Sequence, residues 1–532
     1  MEKNNMIKVP LEKLRFADPN RRTGDQKFDT KPMSYAKDVF RRFCKNKSSV
    51  VAAVIIVLLV LFAILVPVFC ETTYSKALTD TTYLTYRNLL PKNELFVGTG
   101  FWDGGKDTTI NRNRYNTLKA LEEETGYQAI MSLDKFYIEN DTQYFDVRID
   151  SYITLGMEYL TLTRAQFEDI QRWQNETGIQ VIYPVVDTTL TRVVNKKEEP
   201  LIAVARQSDA NVWYATDSKG NPRYENGELV ECYADKNDFR YSGLLYTDTY
   251  YNYDSLRIAS DDGNYLYAQM SHVTVNGNIV PSYKVRVLLN NYFYYRYGHE
   301  ASFLFGTNQR GQDILTRLAA GARFSLILAV CISAVNLFIG AMYGAVEGFY
   351  GGTVDIIMER ISDILGGMPS MVVMSLFQLH LASKVGPVWS MVFAFILTGW
   401  LGMAGRTRMQ FYRFKHQEYV LSAKTLGASD RRLIFKHIFP NAMGTLITGS
   451  VLSIPGVIFS ESSLTYLGIV NLESSTQTSV GTLLSGGQGV LSTYPHIILF
   501  PALFISLLEI SFNLFGNGLR DAFNPSLKGI ED

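Results

Sequence analysis

From Val50 to Phe69 the chain runs for about 20 residues without a charge, and at about 1.5 Å per residue such a helix spans the roughly 30 Å of bilayer hydrocarbon. A helix buried in a soluble core seldom runs that far without a polar face. The preceding residues 1–47 hold 13 Lys/Arg against 6 Asp/Glu, a leader far too long for the charged end of a cleaved signal peptide. Residues 48–69 are therefore expected to form a first transmembrane helix. The basic residues just before it, Arg41, Arg42, Lys45 and Lys47, place the N-terminus in the cytoplasm.

Further apolar runs at Phe324–Val346, Gly366–Ala382, Val388–Ala404, Met443–Leu467 and Ile497–Gly516 bring the expected count to six. An even count returns the C-terminus to the cytoplasm. The fold class is thus an α-helical membrane protein: a basic N-terminal segment (1–47), helix 1 (48–69), an extracellular insert (70–302) and a membrane core (303–532). The insert holds 23 Lys/Arg against 32 Asp/Glu, while the whole chain balances at 51 of each, which excludes the basic field of a nucleic-acid binder.

At 233 residues the insert is long enough to bury a core, and it carries 25 of the chain's 32 Tyr. The alternating segments YFDVRIDSYITL, YLYAQMSHVTV and SYKVRVLL read as strands. Helices are expected over about Tyr115–Glu124 and from the capping-box string Thr163–Gln166 to about Asn175. Each ends in a related string, ETGYQAI (Glu124–Ile130) or ETGIQVI (Glu176–Ile182), with Gly126 and Gly178 as left-handed caps. Either a helix-to-strand unit is duplicated 52 residues apart, or common loop chemistry recurs. An α+β insert follows, its Tyr serving a docking face or a core. Cys70 and Cys232 both fall outside the membrane, where a disulfide could survive. The glycosylation patterns at Asn140 and Asn175 are too short to carry weight.

The densest basic loop of the C-terminal half runs from Gly405 to Asn441, with Arg406, Arg408, Arg413, Lys415, Lys424, Arg431, Arg432 and Lys436 against Glu418 and Asp430. Six spans put it in the cytoplasm, as the charge rule requires. The loop between spans two and three also falls inside, yet there Asp355, Glu359 and Asp363 outnumber Arg360, against the rule. Within the basic loop a helix over about His416–Leu426 is expected to break at Gly427. A second is expected to start with Ser429 as its cap and stop before Pro440.

The loop's residues resemble the EAA loop of binding-protein-dependent ABC importer permeases: Glu-Ala-Ala, three residues, Gly, nine residues, Ile, one residue, Leu, Pro. Here Leu421-Ser422-Ala423 precede Gly427 by the family's gap, Phe439-Pro440 stand at Leu-Pro and His437 at Ile, so Leu421, Ser422 and His437 depart from the pattern. The longer EYVLSAKTLGAS…IFKHIFPN looks like the peptide-type (oligopeptide/dipeptide, OppC/DppC-like) subfamily. FGTNQRGQDILTRLAAGARFSL (305–326) resembles its GTDxxGRDxLSRLxxGAR stretch, with Asn308 and Gln312 for Asp and Arg. GFYGGTVDIIMERISDILGGMPS (348–370), ESSLTYLGI (461–469) and FNLFGNGLRDAFNP (512–525, Asn517 for Asp) resemble other subfamily segments. The resemblance covers 48–69 loosely and about 303–527 closely; it carries nothing over for the insert.

That resemblance implies a type I ABC importer permease fold and a transport subunit without its own ATPase site. ATP and Mg would be bound by two partner ATPase subunits, and the chain would bind no cofactor or metal. Other implied partners are a second homologous permease, an extracellular substrate-binding lipoprotein, the peptide itself and the lipid bilayer of a bacterial cell membrane. Glu418, Ser422, Ala423, Gly427, Ala428 and Ser429 would couple to the ATPase, Gly427 setting the bend and the small alanines permitting close approach. Import of nickel or another small solute, or a receptor or scaffold anchored by the spans, are the competing readings. The insert is expected to dock or shield the binding protein.

Glu461, Glu509 and Asn513 are candidates for the translocation path, since acidic groups at membrane depth face a cavity or a partner. For Glu461 a structural hydrogen bond is the competing role, and interhelical packing competes for the other two. Arg317 and Arg323 read as interface anchors. Leu484–Gln488 spells LSGGQ, a string of ABC ATPases, but no Gly-rich Gly-Lys-Ser/Thr loop accompanies it, and it is expected to be a flexible turn. The scattered His form no metal spacing, and neither GxSxG nor a Cys/His arrangement points to catalysis. Asp261-Asp262 reads as a solvated turn.

Overall fold

The computed structural model describes residues 35–69, 85–139, 142–183, 191–194, 197–200, 206–207, 213–214, 224–225, 228–229, 268–275, 278–473 and 477–523. Cys70, Cys232, Asn140, Asp261-Asp262 and the run YTDTYYNYD lie outside these. A short helix α1 (Tyr35–Lys45) leads into α2 (Lys47–Phe69). In α2 only Ser49, Ala52, Ala63 and Pro67 are fully buried; Ile56, Leu59 and Phe62 are half-buried against the bundle, and Val54, Leu58, Leu61 and Leu65 are exposed. The small residues are where another helix approaches, as membrane packing favours. Ser49 Oγ donates to the Leu514 carbonyl at 3.0 Å.

After the insert come α6 (Ile314–Tyr350), α7 (Gly352–Gly366), α8 (Ser370–Val385), α9 (Pro387–Gly399), α10 (Leu401–Lys415), α11 (Glu418–Thr425), α12 (Phe439–Tyr466), α13 (Val480–Gly487) and α14 (His496–Phe523). Among the described residues five helices are long and apolar enough to cross a membrane, and α7 with α8, bent by 72°, would make a sixth. Most helices outrun the apolar windows. The expected Phe324–Val346 is the middle of a 37-residue helix, because its first turns are buried in protein: Arg317 is only 1% exposed and lies 3.5 Å from Glu473. Arg317 is therefore no snorkelling anchor, whereas Arg323 is exposed as expected. The expected Gly366–Ala382 is broken around Pro369, and residues 405–415, expected as loop, continue α10.

Gly340, Gly344 and Gly348 set how closely α6 meets α10. A Cβ on them would come within 2.6 Å of the Trp400 carbonyl, 2.1 Å of Ala404 O and 2.7 Å of Arg408 O. This four-residue ladder of small residues facing a four-residue ladder of carbonyls is a close-packed membrane crossing.

The insert contains the duplication. Its first half is β1 (Gly105–Asn111), α3 (Arg112–Thr125), β2 (Ile130–Glu139) and β3 (Thr142–Asp150); its second is β4 (Met157–Thr163), α4 (Arg164–Thr177), β5 (Ile182–Tyr183), β6 (Ala268–Val275) and β7 (Asn278–Leu288). In each, a central strand pairs antiparallel with the first strand and the post-helix strand. Asn111 opposite Tyr144 and Ile130 opposite Ile149 become Thr163 opposite Ser282 and Ile182 opposite Val287. Glu122 Oε1 accepts from the Ala129 and Ile130 amides, and Gln174 Oε1 from those of Val181 and Ile182. Gly126 and Gly178 both sit at φ 75°, left-handed caps as expected. Core positions match too: Tyr115 stacks on Phe145 as Phe167 meets Tyr283. The second copy's edge strand is split between β5 and β6, and the intervening residues include three short antiparallel pairs (191–194 with 197–200, 206–207 with 213–214 and 224–225 with 228–229). Tyr86, Tyr152, Tyr183 and Tyr283 are buried and build core, while Tyr127 is exposed.

Helix α5 (Leu289–Tyr297) and the chain around 85–104 seat the insert on the bundle. Leu89 N donates to Thr307 Oγ1 (2.8 Å), Thr307 N to Leu89 O (2.9 Å) and Asn88 N to Asn308 O (3.0 Å). Gly306 must be glycine: its φ is +74° and a Cβ would stand 2.3 Å from Leu89 O. Asn308 and Gln312, the two departures from the family's Asp and Arg, bond to each other at 3.1 Å.

Candidate coupling elbow and its charged support

Helix α11 ends in a Schellman turn: Gly427 N bonds to Lys424 O and Ala428 N to Ala423 O, both at 3.0 Å, with Gly427 left-handed at φ +80°. That geometry needs glycine. Ser429 takes the extended cap conformation but makes no side-chain cap bond. The second arm does not stop before Pro440. Residues 430–432 run through a π-helical turn, Leu433–Ile438, directly into α12. Pro440 has no N–H to give a helical bond, and the wide π turn makes room for its ring.

Under the elbow Val420, Leu433, Ile434 and Ile438 pack on Phe411 and Ala345, and Ala423 and Ala428 turn inward onto this cluster. The two alanines thus let the elbow close on itself, rather than opening it to a visitor. Of the six expected coupling residues, Glu418, Ser422, Gly427 and Ser429 are exposed. Beside them stand apolar groups that motif reading passed over: Tyr419 at 41% exposure, Leu421 at 48% and Leu426 at 89%. The Leu-Ser-Ala spelling, taken only as a departure from Glu-Ala-Ala, was the available signal. Asn441 Nδ2 donates to the Tyr419 hydroxyl at 3.2 Å and ties the arms together; burial pushes that hydroxyl's pKa up, against the lowering effect of the Asn441 bond.

Behind the elbow is a charge cluster that the sequence reading missed as a unit. Arg408 grips Asp355 with Nε and Nη2 (2.6 and 2.8 Å) and Glu359 with Nη1 and Nη2 (2.9 and 3.0 Å). The Tyr412 hydroxyl donates to Asp355 at 2.6 Å, and Lys415 Nζ to the Gly348 carbonyl at 2.9 Å. Planar two-pronged pairs of this kind are the strong ones. They bind the end of α6, the start of α7 and the last turns of α10 into one joint. The acidic excess between spans two and three, which ran against the charge rule, is thereby paired with a residue of the basic segment.

Glu461 is 1% exposed and accepts from Ser325 Oγ (2.9 Å), Thr465 Oγ1 (3.3 Å) and Ser462 Oγ (3.4 Å). Gly481 of α13 approaches so closely that its Cβ would lie 3.1 Å from the carboxylate. Within this chain Glu461 is a hydrogen-bonded junction of α6, α12 and α13 and lines no open passage. LSGGQ is no flexible turn either: Leu484–Gly487 end α13, which Ser479 caps with a reciprocal Thr482 bond. Glu509 is half-exposed and Asn513 exposed on one face of α14, so these two come together while Glu461 is enclosed.

Residues 336–529 match the family described as binding-protein-dependent transport system inner membrane component, and residues 34–91 match the N-terminal TM domain of oligopeptide transport permease C. The oligopeptide transport system permease protein OppC of Bacillus subtilis (strain 168) is 42% identical over 224 residues, 42% of this chain and 72% of that protein. The dipeptide permease DppC of the same organism is 39% identical over 229 residues (43% and 70%), and DppC of Lactococcus lactis subsp. cremoris (strain MG1363) 36% over 224 (42% and 64%). The chain belongs to the binding-protein-dependent transport permease family. It is a multi-pass membrane protein and a transport component rather than an enzyme. In this permease the elbow, π turn, Arg408 joint and Glu461 itself fall inside 336–529, whereas Ser325 and most of the insert lie outside both matches.

Proposed function

We propose that this permease is the membrane-spanning subunit of an ATP-driven importer that passes peptides from an extracellular binding protein to the cytoplasm by alternating access. The elbow geometry carries the reading: an exposed tip at Leu426, Gly427 and Ser429 on a two-armed lever whose second arm is continuous with α12. A force on that tip is delivered to a membrane helix without an intervening hinge, and the Arg408 joint gives it a fixed bearing. Glu418, Ser422, Gly427 and Ser429, with Tyr419, Leu421 and Leu426, would enter a groove on a partner ATPase, which binds ATP and Mg. Such a ligand shifts the equilibrium between two conformations only through different contacts with each.

On this reading α7 and α8 form one broken span, giving six spans with both termini in the cytoplasm and residues 70–302 outside. The Arg408 pairing supports that topology because it removes the charge objection to it. A second permease completes the pathway, with Glu509 and Asn513 toward it or toward the partner helices. Peptide cargo is favoured over a small inorganic solute by the names of the relatives. The deciding experiment is purification from membranes in detergent with identification of co-eluting subunits, together with Gly427→Val assayed for uptake and ATP hydrolysis. Co-elution of two ATPases and a second permease, and ATP hydrolysis that no longer drives uptake in the variant, are expected. Full uptake by Gly427→Val, or a chain that purifies without an ATPase, refutes the reading.

A further inference from the structure

We infer that the loop Leu95–Trp102 is a lipid anchor, inserting into the bilayer leaflet on the insert's side and seating the insert on the membrane. The inference requires only that the chain spans a membrane, whatever it transports. The loop reads LFVGTGFW, with Leu95 at 85% exposure, Val97 at 58% and Phe101 at 62%. Trp102 holds φ at +53°, a left-handed value that a bulky side chain adopts only where its surroundings impose it. Those surroundings are the membrane core. The indole Nε1 donates to the Leu304 carbonyl at 2.6 Å, and the ring stacks on Phe500 at 6.1 Å and 16°. Phe101 meets its face edge-on at 4.7 Å.

Phe500 lies just over one turn inside α14 and begins a flank whose chemistry is plain. Leu499, Leu503, Leu507, Ile510 and Leu514 recur at three- and four-residue intervals along α14 and are 41–58% exposed. Helix α2, packed on α14, exposes Val54, Leu58, Leu61 and Leu65 at 43–58%. This flank is mainly hydrocarbon, with Ser506 on it and Asn513 at its border. The loop's bare side chains extend it past the helix end, so the occupant that covers one covers the other. Just before α14 begins, Lys106 Nζ donates to the Tyr494 hydroxyl at 3.1 Å, and a tyrosine at a helix end suits the headgroup layer. The loop is also set before it meets lipid: Arg148 holds its base through Asp103 (2.7 Å) and the Gly100 carbonyl (3.0 Å). Lipid therefore meets a formed wedge, without the ordering cost of a floppy segment.

The test places a nitroxide at Leu95, Val97 or Phe101, one at a time, in the full-length chain with its four cysteines replaced and the protein in phosphatidylcholine vesicles. Collision with dissolved oxygen is compared with collision with a water-soluble nickel chelate. The oxygen-to-nickel ratio is expected to exceed that of a label at exposed Thr109 severalfold, because oxygen concentrates in hydrocarbon while the chelate stays in water and the loop sits at the acyl boundary. A ratio equal to that at Thr109 overturns the proposal. So does a label shielded from both reagents only when the other transporter subunits are present, because the occupant is then protein.

Discussion

Thr307 exchanges bonds with Leu89 where the insert meets the bundle, while at the elbow Leu426 stands 89% exposed. Both regions turn on a left-handed glycine, and the two glycines differ in kind. Gly306 is hemmed in by the Leu89 carbonyl at 2.3 Å; Gly427 has open space around its would-be Cβ. The first glycine makes an internal contact possible, the second sets a direction. The insert end is thus bonded within the chain, whereas the elbow end is exposed, as the proposed ATPase contact requires. Stability and transport should therefore respond oppositely at the two.

The largest stability loss is expected at Gly306→Val, where added atoms meet backbone that cannot yield; little folded protein should remain by thermal melting in detergent. Arg408→Ala comes next, at about 3–5 kcal/mol, because it leaves the Asp355 carboxylate buried without its cation; Arg408→Lys should recover only part, lacking the two-pronged geometry. Gly427→Ala is expected to cost about 1 kcal/mol from its left-handed backbone, yet to lower uptake more than that loss explains. Leu426→Ser should move the melting midpoint within about 0.5 kcal/mol while still impairing uptake. If Leu426→Ser transports normally, the exposed tip is not a contact surface and the contrast between the two ends fails.

The duplicated halves of the insert offer a smaller, internal test. Gly126 and Gly178 occupy equivalent caps with open space around them, so Gly126→Ala and Gly178→Ala should each cost about 1 kcal/mol. Equal losses by hydrogen exchange of the two helices would sharpen the equivalence; a silent Gly178→Ala would show that the split second copy tolerates more.

Much of the local structure is legible in the sequence. The caps at Gly126, Gly178 and Gly427, the Thr163 capping box and the first span are local, fixed by residues within a few positions of one another. Windows of hydropathy erred where a helix ran on into protein, as at Arg317 and over 405–415, because a window cannot tell water from a buried partner. The repeat of ETGYQAI and ETGIQVI was visible, but its meaning was undecided until Ile130 and Ile182 were found at matching positions against central strands far along the chain. Gly340, Gly344 and Gly348 were spaced openly, and only the Trp400, Ala404 and Arg408 carbonyls gave them a partner.

By itself the sequence determined the membrane class, the position of the elbow and the family, since these rest on continuous apolar length, on turn chemistry and on motif spelling. Tertiary structure alone decided that Arg408 answers Asp355 and Glu359, that Glu461 is enclosed, that Ala423 and Ala428 face inward and that Trp102 lies on Phe500. Each of those depends on which groups separated by tens to hundreds of residues share a place from which water is excluded, and local propensity carries no information about that.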